Sequence, residues 1–166
     1  MSEVAEQIPG SFRKGPKNGK VLDCDTFKKV IVEKLRMSSR SDIHIGDRQY
    51  FAYSLEDLKD FLHRDGSDKL VYKPECFDCD DFSYVVMGRE KEWFGGSATE
   101  GSKHNKCGST FGIVWGDIRS TEDDTESNPH AVNFFVDSNL DVWLVEPQTD
   151  HIWKPTSNST FWMTIG

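Results

Sequence analysis

No apolar run in this sequence of 166 residues approaches the ~18 residues that span a bilayer. The opening MSEVAEQIPG also lacks the basic and apolar regions of a secretory signal. An excess of positive charge is missing too. Twenty Lys and Arg stand against 28 Asp and Glu, giving a formal charge of −8 and a pI near 5.1. Nucleic acid and anionic membranes require basic surfaces that release counterions, so neither is expected as a partner. The four cysteines, Cys24, Cys76, Cys79 and Cys107, are too few for a disulfide scaffold and leave at least one thiol for chemistry. There is no internal repeat. The expected location is cytoplasmic, or outside the cell by a non-classical route.

The length suits one domain with a core large enough to need no staple. Residues 1–20, rich in Gly, Pro, Lys and Ser without an apolar period, read as a mobile arm, and 21–166 as the domain. Phe27, Val30, Ile31 and Leu35 recur at helical spacing, with Asp25 or Thr26 as cap. Ser54-Leu-Glu-Asp has the form of a capping box, and Leu55, Leu58, Phe61 and Leu62 continue one face until Gly66. A third helix is expected from Cys79 or Asp80, with Gly88 near its end. The second half changes character: 111–118, 130–137, 141–145 and 161–165 are short β-branched and aromatic runs separated by turn formers. Helices first and strands second predict an α+β class, with the helices packed on one side of an antiparallel sheet. The polar stretches 95–110 and 119–129 are expected to be exposed loops bordering the site.

One hairpin concentrates the candidate chemistry. A turn through Asp137, Ser138 and Asn139 sets Val136 against Leu140 and His130 against Glu146. His130, Val132, Phe134 and Val136 then share a face with Leu140, Val142, Leu144 and Glu146, an apolar face ending in an imidazole and a carboxylate. Such a carboxylate fixes the ring's tautomer. A structural ion pair at a sheet edge explains the same two residues. Cys79 stands where a helix begins, and free backbone N–H groups there favour a thiolate. A helix-start thiol, an imidazole and a carboxylate make the outline of a papain-like nucleophile, base and orienting group.

The blocks FDCDDF (77–82), HAVNF (130–134) and VEPQT (145–149) resemble the C-terminal domain of the mushroom agglutinin family, a calcium-dependent, papain-like cysteine protease domain. That resemblance implies a papain-like fold and a catalytic triad of Cys79, His130 and Glu146 that cleaves peptide bonds through an acyl-enzyme thioester. It also implies calcium beside the nucleophile and a protein or peptide as substrate. Mushroom members carry a β-trefoil lectin domain ahead of this one. The present chain has neither the length nor the repeats for it, so glycan binding is not carried over. Gln148, in the last block, is expected to face the cleft and bind substrate. A homodimer is compatible with the sequence.

Asp78, Asp80 and Asp81 flank the thiol and Glu75 lies just upstream, an oxygen-rich set that suits Ca2+, with Mn2+ as a substitute. Glu75, Asp80 and Asp81 are the expected metal ligands. Three rival readings stand beside the protease. Cys76, Cys79, His104 and Cys107 offer a four-ligand set for a zinc-binding interaction module. A cell-wall endopeptidase of the same broad papain-like group is the second, and a non-enzymatic peptide binder the third.

Overall fold

The computed structural model describes residues 15–166. Most of the span read as an arm, residues 1–14, lies outside the described residues. Within the rest of that span, Lys17 donates its backbone N–H to Asp57 Oδ2 at 3.1 Å, and strand β1 (Gly19–Asp23) begins.

Local chemistry sets each helix boundary. Helix α1 (Cys24–Lys34) is capped by Asp23, whose Oδ1 accepts from Thr26 N at 2.7 Å, just ahead of the expected cap. Its Phe27, Val30 and Ile31 turn inward. Helix α2 (Leu55–Asp65) starts at Ser54, whose Oγ accepts from Asp57 N at 3.1 Å. It stops at Gly66, where φ of 68° suits a residue without a Cβ. Helix α3 (Cys79–Gly96) continues well beyond Gly88, because Glu90, Trp93 and Phe94 remain buried past it.

β1 pairs antiparallel with β3 (Gln49–Tyr53), and the two-residue β4 (Gly108–Ser109) joins β3 in parallel. The larger sheet is built from β2 (Asp42–His44), β5 (Phe111–Asp117), β6 (Pro129–Val136), β7 (Val142–Glu146), β8 (His151–Trp153) and β9 (Thr160–Ile165), in the order β2-β9-β5-β6-β7-β8. All its neighbours are antiparallel except β2 and β9. Strand alternation divides the core into two layers. Val132, Phe134 and Val136 of β6 join Phe27, Val30 and Ile31 of α1 on one face. Phe135, with Phe111 and Val145, joins Phe61 of α2 and Val86 and Trp93 of α3 on the other.

The expected papain-like arrangement, with helices packed on one side of a purely antiparallel C-terminal sheet, is therefore corrected. Nine strands outnumber three α-helices among the described residues. Strands occupy the first half as well, one ladder is parallel, and helices cover both faces. β3 escaped the sequence pattern because Tyr50, Phe51, Ala52 and Tyr53 are all buried, so no alternation marks it.

Candidate functional site

Cys79 is the first residue of α3, with Asp78 as N-cap. Asp78 and Asp81 form a capping box, the Asp78 N–H donating to Asp81 Oδ2 at 3.2 Å. A relay of three hydrogen bonds links this helix start to the sheet. Ser83 Oγ donates to the Cys79 carbonyl at 2.9 Å. Asn133 Nδ2 donates to the Ser83 carbonyl at 3.0 Å and to the Gly112 carbonyl at 3.1 Å. Asn133, fully buried on β6, is a positioning residue that the sequence reading passed over; its place inside an otherwise apolar strand was the available signal. Burial pushes the Cys79 thiol pKa up, with the Asp78 and Asp80 charges adding to it, while the Ala131 main chain pulls the other way. The thiol thus sits against the residue after His130 and favours its protonated form.

His130 and Glu146 come together, Nε2 to Oε2 at 2.7 Å, with side chains 18% and 21% exposed. The hairpin differs from the expected one. Val136 pairs with Val142 and Phe134 with Leu144, so the connection is longer than three residues. It winds about the Asp137 carboxylate: Oδ1 accepts from Asn139 N at 2.8 Å and Asp141 N at 3.1 Å, and Oδ2 from Trp143 Nε1 at 2.9 Å. The register differs by two positions from the predicted one, which preserves the faces and leaves His130 to reach Glu146 diagonally. Gln148 donates its backbone N–H to Glu146 Oε1 at 3.3 Å, so it supports the carboxylate through the main chain. Among the described residues, no hydrogen bond joins the Cys79 thiol to the His130 ring.

The acidic helix start is arranged differently from the expected ligand set. Donor atoms of Asp78, Cys79 and Asp80 all lie within 4.8 Å of one another. The Asp78 pKa is raised, first by a hydrogen bond with Asp80, then by burial and by the charges of Asp80, Asp81 and Glu75, as expected of carboxyls held too close to ionise independently. Asp81 is engaged in the capping box. Glu75, on a turn with φ of 58°, acts on Asp78 through charge alone. Oxygen donors at this density fit a hard cation, and of the expected ligands Asp80 lies in the close group, beside Asp78.

The zinc module is corrected outright. Asp78, Cys79 and Asp80 form the metal-capable group found among the described residues, and Cys76, His104 and Cys107 are not part of it. Cys76 is exposed, while His104 is packed against Phe51 and Phe94.

Two solved structures superpose on the chain. One, described as a PSL1a–E64 complex, matches with a TM-score of 0.71 at 19% identity over 88% of this chain and 51% of its own. The other is a Polyporus squamosus lectin bound to the human-type influenza-binding epitope Neu5Aca2-6Galb1-4GlcNAc. It has a TM-score of 0.68 at 20% identity over 88% of this chain and 49% of its own. The chain thus spans about half the length of each. No curated protein sequence matches it.

The agglutinin family match, with a lectin among the superposed structures, overturns the expected activity: the cysteine-protease reading, its thioester mechanism and its cell-wall endopeptidase variant are not carried forward. A model of the agglutinin C-terminal family matches residues 50–152, more than half of the sequence, and the chain belongs to that family.

Proposed function

We propose that this chain serves carbohydrate recognition as a module of an agglutinin. Its ligand site would be the helix start at Asp78, Cys79 and Asp80 together with the His130–Glu146 pair. The observation that carries the reading is family membership together with the glycan-bound lectin among the superposed structures. The site chemistry supports it. Asp78 and Asp80 would hold a hard divalent cation, Ca2+ or Mn2+, which takes oxygen ligands and relieves the repulsion between them. Sugar hydroxyls are oxygen ligands of the same kind. The largely buried His130 and Glu146 offer a donor and an acceptor for hydroxyls beside it.

The test is binding of immobilised Neu5Aca2-6Galb1-4GlcNAc and a panel of neutral glycans by the purified chain in Ca2+ and in chelator. Saturable, Ca2+-dependent binding that Asp80→Asn and His130→Ala each weaken at least tenfold is the expected result. Absence of binding to every glycan in Ca2+ overturns the proposal. So does a stoichiometric E64 adduct on Cys79 accompanied by cleavage of casein.

A further inference from the structure

His104 lies on the polar stretch between α3 and β4 that composition marks as an exposed loop, yet it is only 6% exposed. Its ring packs against two aromatic side chains of different elements, with centroids 5.5 Å from Phe51 of β3 and 4.9 Å from Phe94 of α3, which themselves lie 6.4 Å apart. Nε2 lies 3.3 Å from Ser97 Oγ, and Ser97 Oγ in turn donates to the Phe94 carbonyl at 2.8 Å. The rest of the loop is made of local turns: Ser102 N donates to the Thr99 carbonyl, Asn105 N to the Ser102 carbonyl, and Cys107 N to the His104 carbonyl. His104, 6% exposed, thus fastens the middle of these turns to the core, while Cys107 packs on it at the loop's end.

The charged groups on the surrounding elements are engaged elsewhere. On α3, Glu90 accepts from Tyr53 and Ser109, both at 2.7 Å. Lys91 donates to Ser109 Oγ and to the Phe111 carbonyl, both at 2.8 Å, and Glu92 is exposed. From the segment before β3, Asp47 acts on Lys91 and Cys107. The loop's own Glu100, Lys103 and Lys106 make no hydrogen bond to the ring among those described. The influences on the imidazole are its burial and the Phe94 carbonyl, so a protonated ring has no carboxylate to meet it.

We propose that His104 is an acid-sensitive latch: neutral, it holds the 98–107 loop against Phe51 and Phe94, and protonated, it releases the loop and uncovers those two rings. The direction of the ring's titration agrees. Burial lowers its pKa from the ordinary 6.5, so the released form binds the proton more readily than the latched one. The latch is at full strength above about pH 6.5 and weakens as pH falls from there towards the lowered value.

Hydrogen exchange of the peptide covering 98–107, corrected for intrinsic rates, tests this at pH 7.5 and 5.0. Protection in the wild-type loop is expected to fall by up to about thirtyfold at pH 5.0, the limit for 1.5 pH units below the released-state value, while α1 stays unchanged. His104→Phe keeps an aromatic ring against Phe51 and Phe94 and should hold the loop equally at both pH values. His104→Gln, polar but not titrating, should likewise show no pH response and serves if the Phe variant does not fold. A wild-type loop protected equally at both pH values overturns the proposal, as does a pH response retained in either folded variant.

Discussion

His130 and Glu146 meet diagonally across the β6–β7 ladder, ring nitrogen to carboxylate oxygen at 2.7 Å, although the paired residues run from Asn133–Val145 to Val136–Val142. Their contact rests on a shared sheet face and on the turn that sets the register. Each side chain is about four-fifths buried, so the bond is only partly screened. A double-mutant cycle with His130→Ala and Glu146→Ala should give a coupling of about 1 kcal/mol in urea unfolding. A coupling near zero would show that the pair adds nothing to folding.

Asp137 organises the turn behind that pair. It is 3% exposed and accepts from Asn139 N, Asp141 N and Trp143 Nε1. Asp137→Ala leaves three donors without their acceptor and should cost about 2–3 kcal/mol by urea denaturation. Asp141→Ala removes only an exposed ion pair with Lys154 and should cost less than about 0.5 kcal/mol.

Asp150 gives a pH-dependent prediction of opposite sign to ordinary acid denaturation. Burial, then the charges of Asp68 and Asp65, raise its pKa from 3.8 to about 6. With the folded value above the unfolded one, ionisation costs stability as pH rises from about 4 and reaches its full effect above about 6. The carboxyl is partly open to solvent, so screening reduces the effect to about 1 kcal/mol. Asp150→Asn tolerates the φ of 58° and should raise the urea midpoint at pH 7.5 while leaving it unchanged at pH 4.

Cation binding at Asp78 and Asp80 should register as stability. If the affinity is about 1 mM, 10 mM Ca2+ adds about 1.4 kcal/mol, or about 3–6 °C in Tm for a chain of this size. Differential scanning calorimetry on chelator-treated protein should show this rise in the wild type and its loss in Asp80→Asn. An equal shift in both would place the ion elsewhere.

The sequence disclosed those features that repeat with a period or carry a cap. Ser54 and Gly66 bound α2 because their side chain, or the lack of one, acts locally. The runs that became β5, β6, β7 and β9 were visible as β-branched and aromatic segments. Strands of two or three residues, such as β2 and β4, fall below any periodic signal. That Asp78 and Asp80 approach each other most closely depended on side-chain direction at the helix start, which spacing does not encode. The faces of His130 and Glu146 were readable because a change of two residues in register leaves strand alternation intact. The three short blocks indicated the family, which the match over 50–152 bears out, but the activity inferred from them has been corrected.

The order of strands in the larger sheet also governs when it can assemble. β5, β6, β7 and β8 form a meander whose neighbours are consecutive in sequence, so they can pair soon after they leave the ribosome. β9 does not follow that rule: it lies between β5 and β2, and its residues 160–165 are the last of these strands to be made. β2, synthesised more than a hundred residues earlier, has no other strand partner in that sheet and must wait for β9. Such distant pairing slows folding, and until Ile165 emerges, one edge of β5 stays open to association with other nascent chains.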